Sequence, residues 1–301
     1  MMDNIIEVPQ ADERIRIFRR KLVAPAEFAG LEVDASIIVS NRYIVLCDTL
    51  LCPEDMAEIM HRVRGELAGR QLLIVNSHAD WDHTWGNSYF TKNHEAAPII
   101  AHELCLKRMQ SEEARQQVTD YQAKHPIFQN VVLTPPTITF SETLTLHGGD
   151  LTIKLLAAPG HCPDAIAAWL PELCLLLAFD AVEMPLPVID DAAGVQPMLA
   201  TLERFQAMHP LEVLCSHGRV TGPAMIEKNL AYLREIERRC RGFLEQRRPT
   251  NDELEHMAML LHYPLATVLE EVAMSADTID RPFYEQVHEQ NIQYIMQDLM
   301  G

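Results

Sequence analysis

The chain has 301 residues, 48% of them apolar and 23% charged, which excludes disorder as the dominant state and allows a sizeable core. Forty-three acidic against twenty-five basic residues leave a formal charge of -18, which opposes binding to nucleic acid or to an anionic membrane surface. No stretch reaches the roughly 20 apolar residues of a membrane span, and seven scattered cysteines fit reduced thiols better than a disulfide framework.

The opening residues, Met1-Met2-Asp3-Asn4, lack a basic stretch running into an apolar one, so no secretory leader and a cytoplasmic location are expected. Alternation over 14–23 predicts an early strand, and residues 35–39 and 43–47 predict a pair joined at Ser40-Asn41-Arg42. Pro53, followed by Glu54 and Asp55, opens a helix that runs towards Gly69. The apolar run Leu72–Val75 reads as a buried strand, 101–124 as one helix, and 131–140, 151–157, 166–170 and 174–180 as short strands. After Asp190 the pattern turns helical, with one strand at 211–215, a helix from Pro223, and two or three more over 251–301. The order predicts an α/β core with a helical extension, divided as 1–248 and 249–301.

Polar residues gather where these strands end. His78, Asp80, Asp82 and His83 fall within six positions directly after the strand 72–75. Alternation would put His78, Asp80 and Asp82 on one side, and a turn near Trp81 would let His83 join them. His161 follows the strand 151–157, Asp180 closes 174–180, and His217 follows 211–215. Imidazole and carboxylate suit zinc, iron and manganese. Seven such candidates at strand ends are hard to explain by packing. No Gly-x-Ser-x-Gly elbow, phosphate-binding loop or dinucleotide fingerprint accompanies them.

These residues resemble the hallmarks of the metallo-β-lactamase superfamily: Asp48 after an early strand, the run 78–83, Pro159-Gly160-His161, Pro171-Glu172, Asp180, and Ser216-His217-Gly218. The resemblance covers about residues 30–235. It implies an αββα sandwich of two mixed β-sheets and a site for two divalent metal ions, zinc foremost, with iron or manganese as alternatives. His78 and His161 would hold one ion, Asp82, His83 and His217 the other, with Asp180 between them and Asp48 orienting the ligand loop. Asp82 would also be catalytic. The implied activity is hydrolysis of an ester, thioester or lactone-type small molecule by metal-bound hydroxide; a homo-oligomer is compatible with it. Two departures stand out. Asp80 replaces the His of most members, and Leu50 replaces a Gly, which predicts a differently shaped turn. An aspartate oxygen stands as many bonds from Cα as a histidine Nδ1, so Asp80 can serve as a ligand; the alternative is that it caps a backbone amide. The acidic residue at this position is also similar to the flavodiiron proteins, a redox alternative, and a metal-binding member without turnover is a third reading.

Weaker features have ordinary explanations. Arg238, Arg239, Arg241, Arg247 and Arg248 read as a solvated helix face, with an anion pocket as the sharper alternative. Trp81 and Trp85 read as packing under the ligand loop, Cys162 as a buried thiol, His94, His102 and His209 as surface or core residues, and His288 as part of a tail that could cover the site.

Overall fold

The computed structural model describes residues 5–23, 30–91 and 96–301, so His94 lies outside the described residues. Two mixed β-sheets, of seven and five strands, carry flanking helices, as the α/β reading predicts. The chain divides into two compact units, one of residues 1–157 with 164–173, the other of 158–163 with 174–301.

The first unit holds the seven-stranded sheet. β1 (Ile5–Val8), β2 (Ile15–Lys21), β3 (Glu32–Val39) and β4 (Tyr43–Cys47) are antiparallel neighbours. Parallel pairing then adds β5 (Gln71–Val75), β6 (Ile99–His102) and β7 (Ile138–Phe140). Between β4 and β5 the chain crosses over through α1 (Pro53–Val63), whose buried Met56, Ile59, Met60 and Val63 join Ile37, Ile44, Leu46 and Ile74 in the core. A parallel connection needs such a crossover, and it leaves the carboxyl ends of β4 and β5 side by side, with Cys47 opposite Val75. The unit also contains the antiparallel strands β8 (Thr143–His147), β9 (Thr152–Ala157) and β10 (Ile166–Leu170).

The sequence reading errs most between 99 and 147. The expected single helix over 101–124 is the strand β6 followed by α3 (Glu103–Met109) and α4 (Glu112–Lys124). His102 caps α3 by accepting from Leu104 N, and Ser111 caps α4 by accepting from Ala114 N; a second cap inside a continuous pattern is what breaks it. Residues 131–137 form no strand, whereas β8 follows at 143–147.

In the second unit β11 (Leu175–Leu177) pairs in parallel with β12 (Glu212–Leu214). α5 (Val195–Ala207), α6 (Ala224–Leu244) and α10 (Arg281–Met300) pack on one another. α7 (Asn251–Leu254), α8 (Met257–Leu260) and α9 (Leu265–Val272) connect them, so the tail holds four helices rather than two or three. From residue 224 onward the described structure is helical without a strand. No helix among the described residues is long and apolar enough to cross a membrane.

Candidate functional site

In the first unit, the ligand run begins where β5 stops. Val75 is its last strand residue; 76–80 form an irregular turn, and α2 (Trp81–Thr84) gives the helical turn that carries Asp82 and His83. The run is thus a turn rather than a continued strand. Asp48, fully buried, organises it: Oδ1 accepts the Ser77 N–H at 2.7 Å and Oδ2 accepts from His83 Nδ1 at 2.9 Å. With Nδ1 so engaged, Nε2 is the nitrogen His83 presents, and it lies 3.6 Å from Asp82 Oδ2. Ser77 Oγ sits 2.9 Å from His78 Nδ1, and His78 Nε2 lies 3.4 Å from Asp80 Oδ2. His78, Asp82 and His83 are buried; Asp80 is 29% exposed.

Backbone geometry serves this turn. Asp48 and Leu50 adopt left-handed conformations, with φ of 64° and 55°. Leucine therefore takes a conformation in which glycine is at ease; its strain, about 1–2 kcal/mol, is borne by complete burial of the side chain. Gly86 lets the chain after α2 pass close by, since a Cβ there would meet Thr49 O at 2.0 Å. Thr49 N–H donates to His83 O at 2.8 Å, tying the two segments.

The second unit presents His161, Asp180 and His217. His161 follows Gly160, whose φ is 150° and whose missing Cβ would lie 2.5 Å from Met198 Cα. His161 Nδ1 donates to Val188 O at 3.1 Å, and the Asp190 N–H donates to His161 O at 3.0 Å. Asp180 Oδ2 lies 3.3 Å from His217 Nε2 and 3.9 Å from His161 Nε2, so one carboxylate oxygen stands between two imidazoles.

These separations test the fit of a metal. Direct N–H···O bonds cluster near 2.7–3.2 Å, whereas two donors on one tetrahedral zinc, each about 2.0–2.2 Å from it, stand about 3.4 Å apart. The His–Asp distances of 3.3, 3.4 and 3.6 Å match the second spacing, and His161–Asp180 at 3.9 Å is longer than either. Nitrogen and oxygen donors with Nδ1 fixed by a carboxylate or carbonyl also form the donor set such ions prefer. The residues fit the group.

Several supporting groups escape sequence reasoning. Asn76 and Asn87 exchange two amide hydrogen bonds, at 3.0 and 2.8 Å, and Asn87 also donates to Thr134 O, bracing the turn. Asp164 accepts the Ala79 N–H at 2.8 Å and pairs with Arg108. Its place three residues after His161 is the one signal that pointed to it. Asp80, the N-cap residue of α2, makes no side-chain cap; its Oδ1 accepts from Arg108 Nη2 at 2.7 Å, which corrects the capping alternative.

In the second unit, Glu183 is buried, accepts from Tyr284 Oη, and is pushed above its ordinary value of 4.5 chiefly by burial. Its backbone N–H and C=O both bond Asn229. Asn291 donates to Pro187 O at 2.7 Å.

The remaining features settle plainly. Trp85 packs edge-on with Trp81, Tyr121 and Phe128, Trp81 packs edge-on with Phe128 and tilted against Tyr121, and Cys162 is a buried thiol. His102 is the buried cap of α3; His209 is exposed and follows α5 with φ 51°. His288 is buried between Tyr232 Oη of α6 and Tyr263 O of the tail.

A profile described as the Metallo-beta-lactamase superfamily matches residues 29–217. No curated protein matches the chain significantly. Among solved structures, a metallo-beta-lactamase from Pontibacter korlensis is similar at a TM-score of 0.59 and 16% identity, covering 75% of this chain and 97% of that one. The metallo-beta-lactamase DIM-1 gives 0.58 and 15%, with 76% and 96% covered. FIM-1 from Pseudomonas aeruginosa, a metallo-beta-lactamase solved in a mono-zinc form, gives 0.55 and 16%, with 74% and 92% covered. At such identities the likeness establishes the fold of two mixed sheets and leaves the substrate to be argued from the site.

Proposed function

We propose, from the premise that this chain belongs to the metallo-β-lactamase superfamily, that it is a dinuclear metal-dependent hydrolase of an ester, thioester or lactone-type small molecule. His78 and His161 would hold one ion and Asp82, His83 and His217 the other, with Asp180 shared and Asp80 added to the first. The observation that carries this reading is the repeated spacing of 3.3 to 3.6 Å between histidine Nε2 and carboxylate oxygen. Two such ions, when bound, lower the pKa of a shared water and polarise the carbonyl under attack. Zinc fits the nitrogen-rich set best; iron or manganese would be favoured by the extra oxygen of Asp80.

The chain's own residues supply orientation and proton handling. Asp48 accepts a hydrogen bond from His83 Nδ1–H and so fixes the tautomer that offers Nε2. Val188 O does the same for His161. Asp82, buried beside His83, would take a proton from the attacking water and pass it to the leaving group. The charge of -18 disfavours a strongly anionic substrate. We assign to the extension 249–301 a part in shaping access, supported by the bonds that Tyr284 and Asn291 make to Glu183 and Pro187.

Metal analysis joined to a panel of thioesters, lactones and esters tests this. Parent protein should carry about two equivalents, and His83→Ala or His217→Ala should each lose about one, together with most turnover. Unchanged metal content in both variants overturns the dinuclear assignment.

A further inference from the structure

Asp80 brings a negative charge to a position that most members give to a neutral histidine, and Arg108 meets that charge. Arg108 stands in the last turn of α3, 34% exposed, and its guanidinium reaches two carboxylates at once. Nη2 donates to Asp80 Oδ1 at 2.7 Å, and Nη1 donates to Asp164 Oδ1. Asp164 is fully buried, and its second oxygen accepts the N–H of Ala79, the residue between His78 and Asp80. The Ile166 N–H donates to Ser77 O at 2.9 Å, so the Asp164 segment is also pinned to the ligand turn by backbone. Asp80, Arg108, Asp164 and Ala79 thus close a ring of hydrogen bonds around the ligand run.

We propose that Arg108 is a positioning residue that sets how Asp80 meets a metal ion, an inference that rests on the metal-binding reading above. A carboxylate binds a divalent cation through one oxygen or through both. The guanidinium occupies Oδ1, so Asp80 presents Oδ2, 3.4 Å from His78 Nε2, as a one-atom donor. The positive charge beside it offsets part of the carboxylate's donation, so Asp80 acts more like the neutral imidazole it replaces. The ion keeps a low coordination number, which favours zinc over manganese. Asp164 holds the fork from the far side and stops it rotating away. A lysine would match the charge, yet one ammonium lacks the planar fork that bridges two carboxylates.

The test loads the full-length apoprotein from an equimolar zinc–manganese pool and reads the bound ratio by elemental analysis. Cobalt(II) substitution reads coordination number through the visible bands, which are strong for four ligands and weak for six. Arg108→Gln should move the ratio about tenfold towards manganese and weaken the cobalt bands; Arg108→Lys should fall between it and the parent. A folded Arg108→Gln protein with the parent's ratio and spectrum overturns the inference while leaving the metal reading intact. If Arg108→Gln does not fold, Asp80→Asn decides: it should lower the affinity of one ion about tenfold, and parent-like binding overturns the inference. A parent protein that takes up no ion overturns both readings.

Discussion

The two units present their candidate ligands in opposite ways. The first draws His78, Asp82 and His83 from six consecutive residues, and a single buried carboxylate, Asp48, reaches both the backbone and a ring of that run. The second draws His161, Asp180 and His217 from three separate strand ends, and its supports come from far along the chain. Val188 fixes His161, while Tyr284 and Asn291 of α10 anchor the loop that contains Val188. A contiguous set is made rigid by one turn. A dispersed set inherits its precision from tertiary packing, so its weak points lie away from the ligands.

The largest effect should follow from breaking the contiguous set at Asp48. Asp48→Asn tolerates the left-handed φ of 64°, because asparagine is at ease there. It sets an amide N–H2 or a weaker carbonyl against His83 Nδ1, which disfavours the tautomer that offers Nε2. Metal affinity should fall about tenfold to a hundredfold with the fold retained, read by chelator competition and circular dichroism. Full retention of affinity would show that His83 needs no such orientation. The dispersed set should answer differently. Tyr284→Phe takes the phenol from the buried carboxyl of Glu183 and should cost about 1–3 kcal/mol in a urea unfolding curve. Its effect on metal affinity should be smaller than that of Asp48→Asn. Equal metal loss in both variants would mean that α10 orients ligands as directly as Asp48 does.

What the sequence made legible follows the same division. The run 78–83, Asp48, His161, Asp180 and His217 could be read because residues of the right chemistry stand where apolar strands end. Asp80's partner could not, because Arg108 lies on a helix that the pattern merged with β6 and α4, and its contact with Asp164 joins positions 56 residues apart. The Asn76–Asn87 pair was hidden because asparagine near a turn looks like ordinary loop chemistry. At Leu50 the sequence shows a leucine where the resembling family has glycine but not its backbone, which is left-handed at φ 55° with the side chain fully buried.

A smaller effect separates the units by pH. His288 is buried in the second unit as a neutral ring; Nε2–H donates to Tyr263 O at 2.6 Å and Nδ1 accepts from Tyr232 Oη. Burial pulls its pKa below the ordinary 6.5. A base with a depressed folded pKa stabilises the fold above its unfolded value and loses that contribution as pH falls through the folded one. Amide protons of α10 should therefore exchange faster, relative to those of β3 and β4, as pH drops below 6.5. His288→Gln, neutral throughout, should remove that difference; its persistence would assign the acid sensitivity to another group.

The smallest effect concerns the arginines of α6, where the sequence allowed either a solvated face or an anion pocket. Arg238 and Arg239 both donate to Glu235, whose carboxyl is pulled down to about 2, first by Arg238. Arg239 also donates to Leu261 O and lies over the Tyr263 ring. Arg241 pairs with Glu237 one helical turn before it, and Arg247 with Glu253. Four of the five arginines thus already answer a neighbouring carboxylate, and an incoming anion would have to displace those partners or accept like charge beside it. The pairs are exposed to water, where such contacts are worth tenths of a kcal/mol. Arg241→Ala should accordingly change stability by about 0.3–0.5 kcal/mol and leave kcat/KM equal to the parent's for neutral and anionic thioesters alike. A loss confined to the anionic substrate would make this face part of substrate recognition and give α6 a role that its ion pairs argue against.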